Sequence, residues 1–229
     1  MELSLLQQPL CGLTLSVVAY GAGLLLQRRW RFMHPLFVCS ALIIFVLITL
    51  HIPFEDYKKG ADFLTILLGP ATVALGVPLY KYAHLIRSNL RRIGVSVLAG
   101  SIAGITCSAA IVGLLGGSKS IVLSMMPKSV SSPIAIEISQ HLGGVPELTA
   151  VLTTMTGLFG SMFGTQILRR LRIKDDISIG IAMGAAAHGI GTAKVLKDSE
   201  VQGSFSGLSM ALCGILTSLL FIPVYIWVG

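Results

Sequence analysis

Pro127-Lys128-Ser129-Val130-Ser131-Ser132-Pro133-Ile134-Ala135-Ile136-Glu137-Ile138-Ser139 gathers a lysine, several hydroxyls, two prolines and a glutamate inside an otherwise hydrophobic chain of 229 residues. Pro127 and Pro133 each lack an N–H donor and fix φ, so no regular helix runs unbroken through both. Ser132 followed by Pro133 reads as an N-cap and a first helical position, which predicts a short helix starting there. The N-terminus of that helix presents free N–H groups and a partial positive charge, and Lys128 adds a full one. The pattern is one that binds anions, and its meaning depends on the solvent around it.

That solvent is lipid. The chain is 54% hydrophobic and only 12% charged, where a soluble domain carries roughly 25% charged residues. Its mean hydropathy is +0.83, and several runs approach the ~20 apolar residues needed to cross a hydrocarbon core. The net charge of +7 does not indicate nucleic acid, because the arginines cluster between the apolar runs, where the positive-inside rule places cytoplasmic loops. Glu2 precedes the first run, with no basic leader and no small-residue cleavage site, so a signal peptide is not expected. Cys11, Cys39, Cys107 and Cys213 stand singly in apolar stretches and read as small buried hydrophobes.

Outward from the opening stretch, the sequence predicts an all-α polytopic membrane protein, a single transmembrane domain over 1–229 with seven to eight hydrophobic segments. Segment one, 9–26, ends at Arg28-Arg29-Trp30-Arg31, and segment two, 36–53, starts after Pro35. Segment three, 62–80, is broken by Gly69-Pro70 and Gly76-Val77-Pro78, and a basic loop with Lys81, Arg87, Arg91 and Arg92 follows it. Segment four, 93–116, is rich in Gly and Ala. Segment six, 146–168, ends at Arg169-Arg170-Leu171-Arg172-Ile173-Lys174. Segment seven, 177–196, is interrupted at Ala187-His188-Gly189-Ile190-Gly191-Thr192, and the last runs over 205–228.

Charge then fixes an expected topology. If 118–145 crossed once, the Arg169–Lys174 loop would fall outside, against the positive-inside rule. If it dips in and returns, all three arginine-rich loops are cytoplasmic. The stretch 118–145 is therefore expected to be re-entrant, and irregular backbone at membrane depth must be covered by protein or line a cavity. Segments two, three and four then match six, seven and eight in order and with opposite orientation. This suggests an inverted repeat with halves 36–117 and 146–229, whose paired interruptions point to a transporter's substrate site.

Among individual residues, Glu137 lies one turn into the helix after Pro133, and an ionisable group at membrane depth is functional by default. It could carry a proton or pair with Lys128. His188 sits between glycines that free the backbone to approach a ligand closely. Gly100-x-x-x-Gly104, Gly160-x-x-x-Gly164 and Gly180-x-x-x-Gly184 are faces on which helices approach, within the chain or in a homodimer. No HxxH or HExxH spacing points to a bound metal, and no cofactor is expected. Neither a G-x-S-x-G elbow nor a phosphate-binding P-loop is present. Ser129, Ser131 and Ser132 beside Lys128 could form a Ser–Lys dyad, but such adjacency in one loop is common, and the chain is read as a non-enzyme.

Taken together, Pro127-Lys128-Ser129-Val130, Ser132-Pro133-Ile134-Ala135, Gly143-Gly144-x-Pro146, Ala186-x-His188-Gly189-Ile190-Gly191-Thr192-Ala193, and Val73-Ala74-Leu75 with Pro78-Leu79-Tyr80 resemble the LrgB/CidB/YohK family over nearly the whole chain. Ala187 and Gly189 stand where the family pattern has a Ser and an Ala, and Ser131 where it has a Thr. The resemblance implies a bacterial inner-membrane protein paired with a smaller holin-like partner of the LrgA/CidA type. It implies either control of murein hydrolase activity and lysis, or carriage of small carboxylates, as in the similar plastid glycolate/glycerate carrier and bacterial pyruvate uptake systems.

The reading is a multi-pass carrier of small monocarboxylates such as pyruvate, glycolate or lactate. Lys128, Ser129, Ser131 and Ser132 would hold the carboxylate, with half-helix N-termini near Pro70, Thr72 and Pro133. His188 and Thr192 would close the site, Glu137 or His188 would move a coupled proton, and the protein would work as a dimer.

Overall fold

The computed structural model describes residues 9–30, 34–74 and 76–228; Glu2 and Arg31 lie outside the described residues. Every regular element among the described residues is a helix. In chain order these are α1 (Pro9–Arg29), α2 (Pro35–Thr49), α3 (Phe54–Ile66), α4 (Leu68–Ala74), α5 (Gly76–Lys81), α6 (Ala83–Leu114), α7 (Lys119–Met125), α8 (Ser132–Leu142), α9 (Pro146–Arg170), α10 (Asp176–Asp198) and α11 (Glu200–Val228). By length and composition alone, the runs Leu10–Arg29, Phe54–Lys81, Ala83–Leu114, Asp176–Asp198 and Glu200–Ile226 are long and apolar enough to cross a membrane. The chain is a helical, multi-pass membrane protein. Large side chains such as Leu98, Ile102 and Ile111 on α6 are exposed, as a lipid-facing surface requires, while Ile93, Val97, Ser101 and Ser108 on its other side are buried.

The chain divides into two compact units, Met1–Gly76 and Val77–Gly229. In the first, α1 packs on α2 and α3 through small residues at helical spacing. Gly12 abuts the Tyr57 carbonyl, a Cβ at Gly23 would lie 2.6 Å from the Pro35 carbonyl oxygen, and Ala19 between them is buried. Ser16 Oγ shares a 2.8 Å hydrogen bond with Tyr57 Oη. The broken third segment is the succession α3, α4, α5, with Pro70 exposed on α4 and Thr72 on the same helix.

The second unit is built on two helical hairpins. In the first, α7 and α8 are about 11 and 17 Å long at 1.5 Å per residue, too short to cross a ~30 Å hydrocarbon core. Their far ends meet: Ser120 Oγ donates to the Gly143 carbonyl (3.3 Å) and Val145 N to Ser124 Oγ (2.7 Å). Gly143, at φ 80°, ends α8 in the left-handed conformation that favours glycine. The tip of this hairpin is the Pro127–Ser131 turn. The helix after it begins one residue earlier than the sequence suggests, with Ser131 as N-cap and Pro133 at the second position.

The second hairpin is α10 itself. A straight helix over Asp176–Asp198 would place Asp176 about 34 Å from Ser199. Instead the Asp176 carboxylate accepts hydrogen bonds from Ser199 Oγ (3.0 Å) and Gln202 Nε2 (2.7 Å). The chain reverses at His188, whose φ of 38° and ψ of −134° lie outside the helical region. Arms 176–187 and 189–198 pack against each other through Ile179, Met183, Ala187 and Val195. The interruption expected at 187–192 is thus a turn back rather than a kink. Helix α11 then runs alongside the first arm, with Gly180 against Gln202 and Gly184 against Ser206.

Within this unit each long helix is followed by a hairpin, α6 by α7–α8 and α9 by α10, and the two hairpins enter from opposite ends. This relation joins different segments from those that match by order along the sequence. The tips meet at Cys213 of α11, whose buried sulfur lies 3.9 Å from the Ser129 carbonyl, 3.7 Å from the Ala185 carbonyl and 3.4 Å from Ser101 Oγ.

Candidate functional site

Lys128 lies on the tip of the first hairpin because Pro127 and Pro133 bar a continuous helix there. It is half-buried, its Nζ donates to Ser129 Oγ at 3.3 Å, and among the described residues no carboxylate pairs with it. Lys128 and Ser129 close one end of a cavity of about 730 Å³. One wall is Ser96, Gly100 and Gly104 of α6; a second is α9 from Thr156 to Ile167; the floor is Ile181, Ala182, Ala185 and Ala186 of α10.

The cavity exists because small residues occupy its walls. A Cβ at Gly100 would meet nothing within 4 Å, and one at Gly104 would approach Ser129 Oγ to 3.3 Å. On α9, Phe159 and Phe163 stack with ring centres 6.3 Å apart and supply its apolar side. The lining is therefore one ammonium, a few hydroxyls (Ser96, Ser129, Thr156) and hydrocarbon. Such a site can hold one carboxylate and a short uncharged remainder.

Each hairpin tip leads into a helix N-terminus, that of α8 after Ser131 and that of the returning arm of α10 after His188, and neither N-terminus contributes a residue to the cavity lining. Each carries a partial positive charge and N–H groups without helical partners. Ser131 makes no side-chain cap bond to α8.

The other residues singled out in the sequence are placed as follows. Ser131 and Ser132 are half-buried at the start of α8, outside the cavity lining. His188 is buried at the second tip, where its Nε2–H donates to the Thr153 carbonyl at 3.0 Å. Gly157 makes room for the ring, since a Cβ there would lie 2.6 Å from Cε1. Thr192 Oγ1 donates to the His188 carbonyl and lies 2.8 Å from Ser206 Oγ, so it holds the returning arm to the tip and to α11. Ala187, where the family pattern has a hydroxyl, packs directly on Gly160.

Glu137 is exposed on α8 and pairs with His141 at 2.9 Å, not with Lys128. Pro70 and Thr72 belong to the first unit. Among the described residues no cluster of three metal-ligating side chains occurs. Ser96 and Thr156 carry no signal in the sequence, because hydroxyls on apolar helices are common and nothing in their spacing marks them; Cys213 is buried, as its apolar stretch suggests.

Residues 16–227 match the model of the LrgB-like family. The chain is 38% identical over 220 residues to Uncharacterized protein YxaC of Bacillus subtilis, covering 93% of each. It is 34% identical over 221 residues to Holin-like protein CidB of Staphylococcus aureus, covering 96% of each. An uncharacterized protein of Haemophilus influenzae is 35% identical over 208 residues, 90% of each chain. No solved structure matches. With the resemblance in the hairpin-tip motifs and a family match over nearly its full length, the chain belongs to the LrgB-like family.

Proposed function

We propose that the protein carries small monocarboxylates across the bacterial inner membrane, with the substrate carboxylate held by Lys128 and Ser129. The observation that carries this reading is an ammonium with no carboxylate partner among the described residues, at the end of a cavity of about 730 Å³ lined otherwise by a few hydroxyls and hydrocarbon. A buried or half-buried charge is retained where it has a partner to meet, and here a substrate supplies it. One positive charge matches a monoanion and leaves the second carboxylate of a dicarboxylate unpaired in hydrocarbon. Neither Glu137 nor His188 lines the cavity, so proton coupling is assigned no residue.

Uptake of labelled pyruvate, glycolate and lactate into proteoliposomes tests the reading. At ~4 Å and an effective dielectric of ~20, one charge pair is worth ~4 kcal/mol. Lys128→Ala should therefore lower uptake by two orders of magnitude or more at unchanged expression and folding. Undiminished uptake by the variant would overturn the site.

The name of the staphylococcal relative, Holin-like protein CidB, supports a second reading, a membrane component of a holin-like system, to which the family resemblance adds a smaller partner of the LrgA/CidA type. The same experiment separates the two. A carrier saturates and discriminates pyruvate from an uncharged sugar, whereas a holin-type pore passes both in proportion to concentration.

A further inference from the structure

A second cavity, of about 830 Å³, lies where the N-terminal part of α6 faces the base of the second hairpin. Arg91 and Arg92 line it, with Asn89 beside them and Ser178 opposite. Among the described residues neither guanidinium pairs with a carboxylate. The one acidic residue in the lining, Asp175, caps α10, accepting from Ser178 N and Ser178 Oγ at 2.9 Å each. Ser96 and Ile181 line both this cavity and the Lys128 cavity. The two spaces are therefore neighbours across that pair of residues.

One ridge of α6 joins them. Arg92, Ser96, Gly100 and Gly104 follow at four-residue spacing, and Gly104 faces Ser129 at the hairpin tip. From Arg92 to Gly104 is about 18 Å along the helix, and past Arg92 no side chain on the ridge is larger than serine. A track of small residues thus runs from a basic chamber to a half-buried lysine. Arginines needed only to fix topology would serve equally well on any face of the helix end, with no cavity between them and the lysine.

We propose that the Arg91–Arg92 cavity is an anion-collecting antechamber, and that small monocarboxylates dwell there before passing Ser96 to Lys128. The proposal rests on the carrier reading above and adds to it a second binding station on the arginine-rich side. Arg91 and Arg92 attract the carboxylate through the field of two guanidinium groups, and the ridge offers no obstruction beyond them.

The test reads the potential at the junction without relying on transport. Ser96→Cys is introduced with Cys11, Cys39 and Cys107 replaced by serine; Cys213, 1% exposed, is out of reach of charged reagents and is kept. The full-length protein is placed in phosphatidylcholine proteoliposomes, so that no anionic headgroup contributes. Anionic sulfonatoethyl and cationic trimethylammonioethyl methanethiosulfonates are compared, each rate normalised to that with a small thiol in the same buffer. The anionic reagent should be favoured, and the preference should fall about fivefold in Arg91→Gln/Arg92→Gln, less so in high salt. Arg91→Lys/Arg92→Lys should keep it, and millimolar pyruvate should slow modification where the uncharged lactamide does not. An anion preference unchanged in the glutamine variant overturns the antechamber, and so does a cysteine that no carboxylate protects. Either result is separate from the uptake assay of Lys128→Ala, which tests the carrier reading itself.

Discussion

Two threonines one turn apart on α9 show how hydrogen bonding in the second unit is distributed. Thr149 Oγ1 lies within reach of the Ser124 carbonyl (3.1 Å), the Val145 carbonyl (3.1 Å) and Ser139 Oγ (2.7 Å), tying α9 to both arms of the first hairpin. Thr153 Oγ1 is the one buried side-chain oxygen or nitrogen among the described residues with no partner, although its carbonyl receives His188. Replacing a satisfied buried hydroxyl costs ~1–3 kcal/mol, while removing an unsatisfied one is neutral or favourable. Thr149→Val should therefore lower the unfolding temperature in detergent and Thr153→Val should hold or raise it; equal losses would contradict the assignment. Lys128 was legible at this scale because a lysine between two prolines in an apolar chain needs water or an anion to offset its charge. The partner of His188 was not legible, since a backbone carbonyl 35 residues away leaves no mark on the sequence.

Three glycine pairs that look alike in the sequence do different work as parts of helices. Gly180 and Gly184 let α10 touch α11, where a Cβ at Gly180 would stand 2.6 Å from the Gln202 carbonyl oxygen. Gly160 and Gly164 pack on Ala187 and Met183 and border the cavity as well. Gly100 meets nothing within 4 Å and serves the cavity alone. Spacing gives the stripe but not its neighbour, so the sequence reads all three as packing faces. The prediction is a separation of stability from transport. Gly184→Ala should cost ~1–3 kcal/mol, because the added methyl runs into the Ser206 backbone. Gly100→Leu should leave thermal stability intact while filling the cavity and abolishing uptake. Loss of folding in Gly100→Leu would mean that α6 is packed where the structure has it open.

For the second unit as a whole, the deciding feature is a reversal at one residue. The sequence marks 187–192 as an interruption, but glycines beside a histidine suit a kink, a loop and a hairpin equally. Only long-range pairing distinguishes them, and Asp176 bonded to Ser199 and Gln202 requires the hairpin. Sidedness follows. Lys81 pairs with Glu200, which sets the starts of α6 and α11 at one end. His141, near the base of the first hairpin, has its ring 6.1 Å from that of Tyr225, which sets the end of α11 at the other. Helix α11, 29 residues and about 43 Å long, crosses between them, whereas arms of about 18 and 15 Å in α10 cannot. Arg172 and Lys197 should then lie on one side and Ile226 on the opposite one. With native cysteines removed except Cys213, Arg172→Cys and Lys197→Cys should react with an impermeant maleimide from the same face of oriented vesicles. By the positive-inside rule that face is the cytoplasmic one. Ile226→Cys should react only from the other. A single crossing by 176–198 would reverse the first pairing, putting Arg172 and Lys197 on opposite faces. That result would remove the opposed hairpins and, with them, the meeting of the two tips at Cys213 beside Lys128 and Ser129.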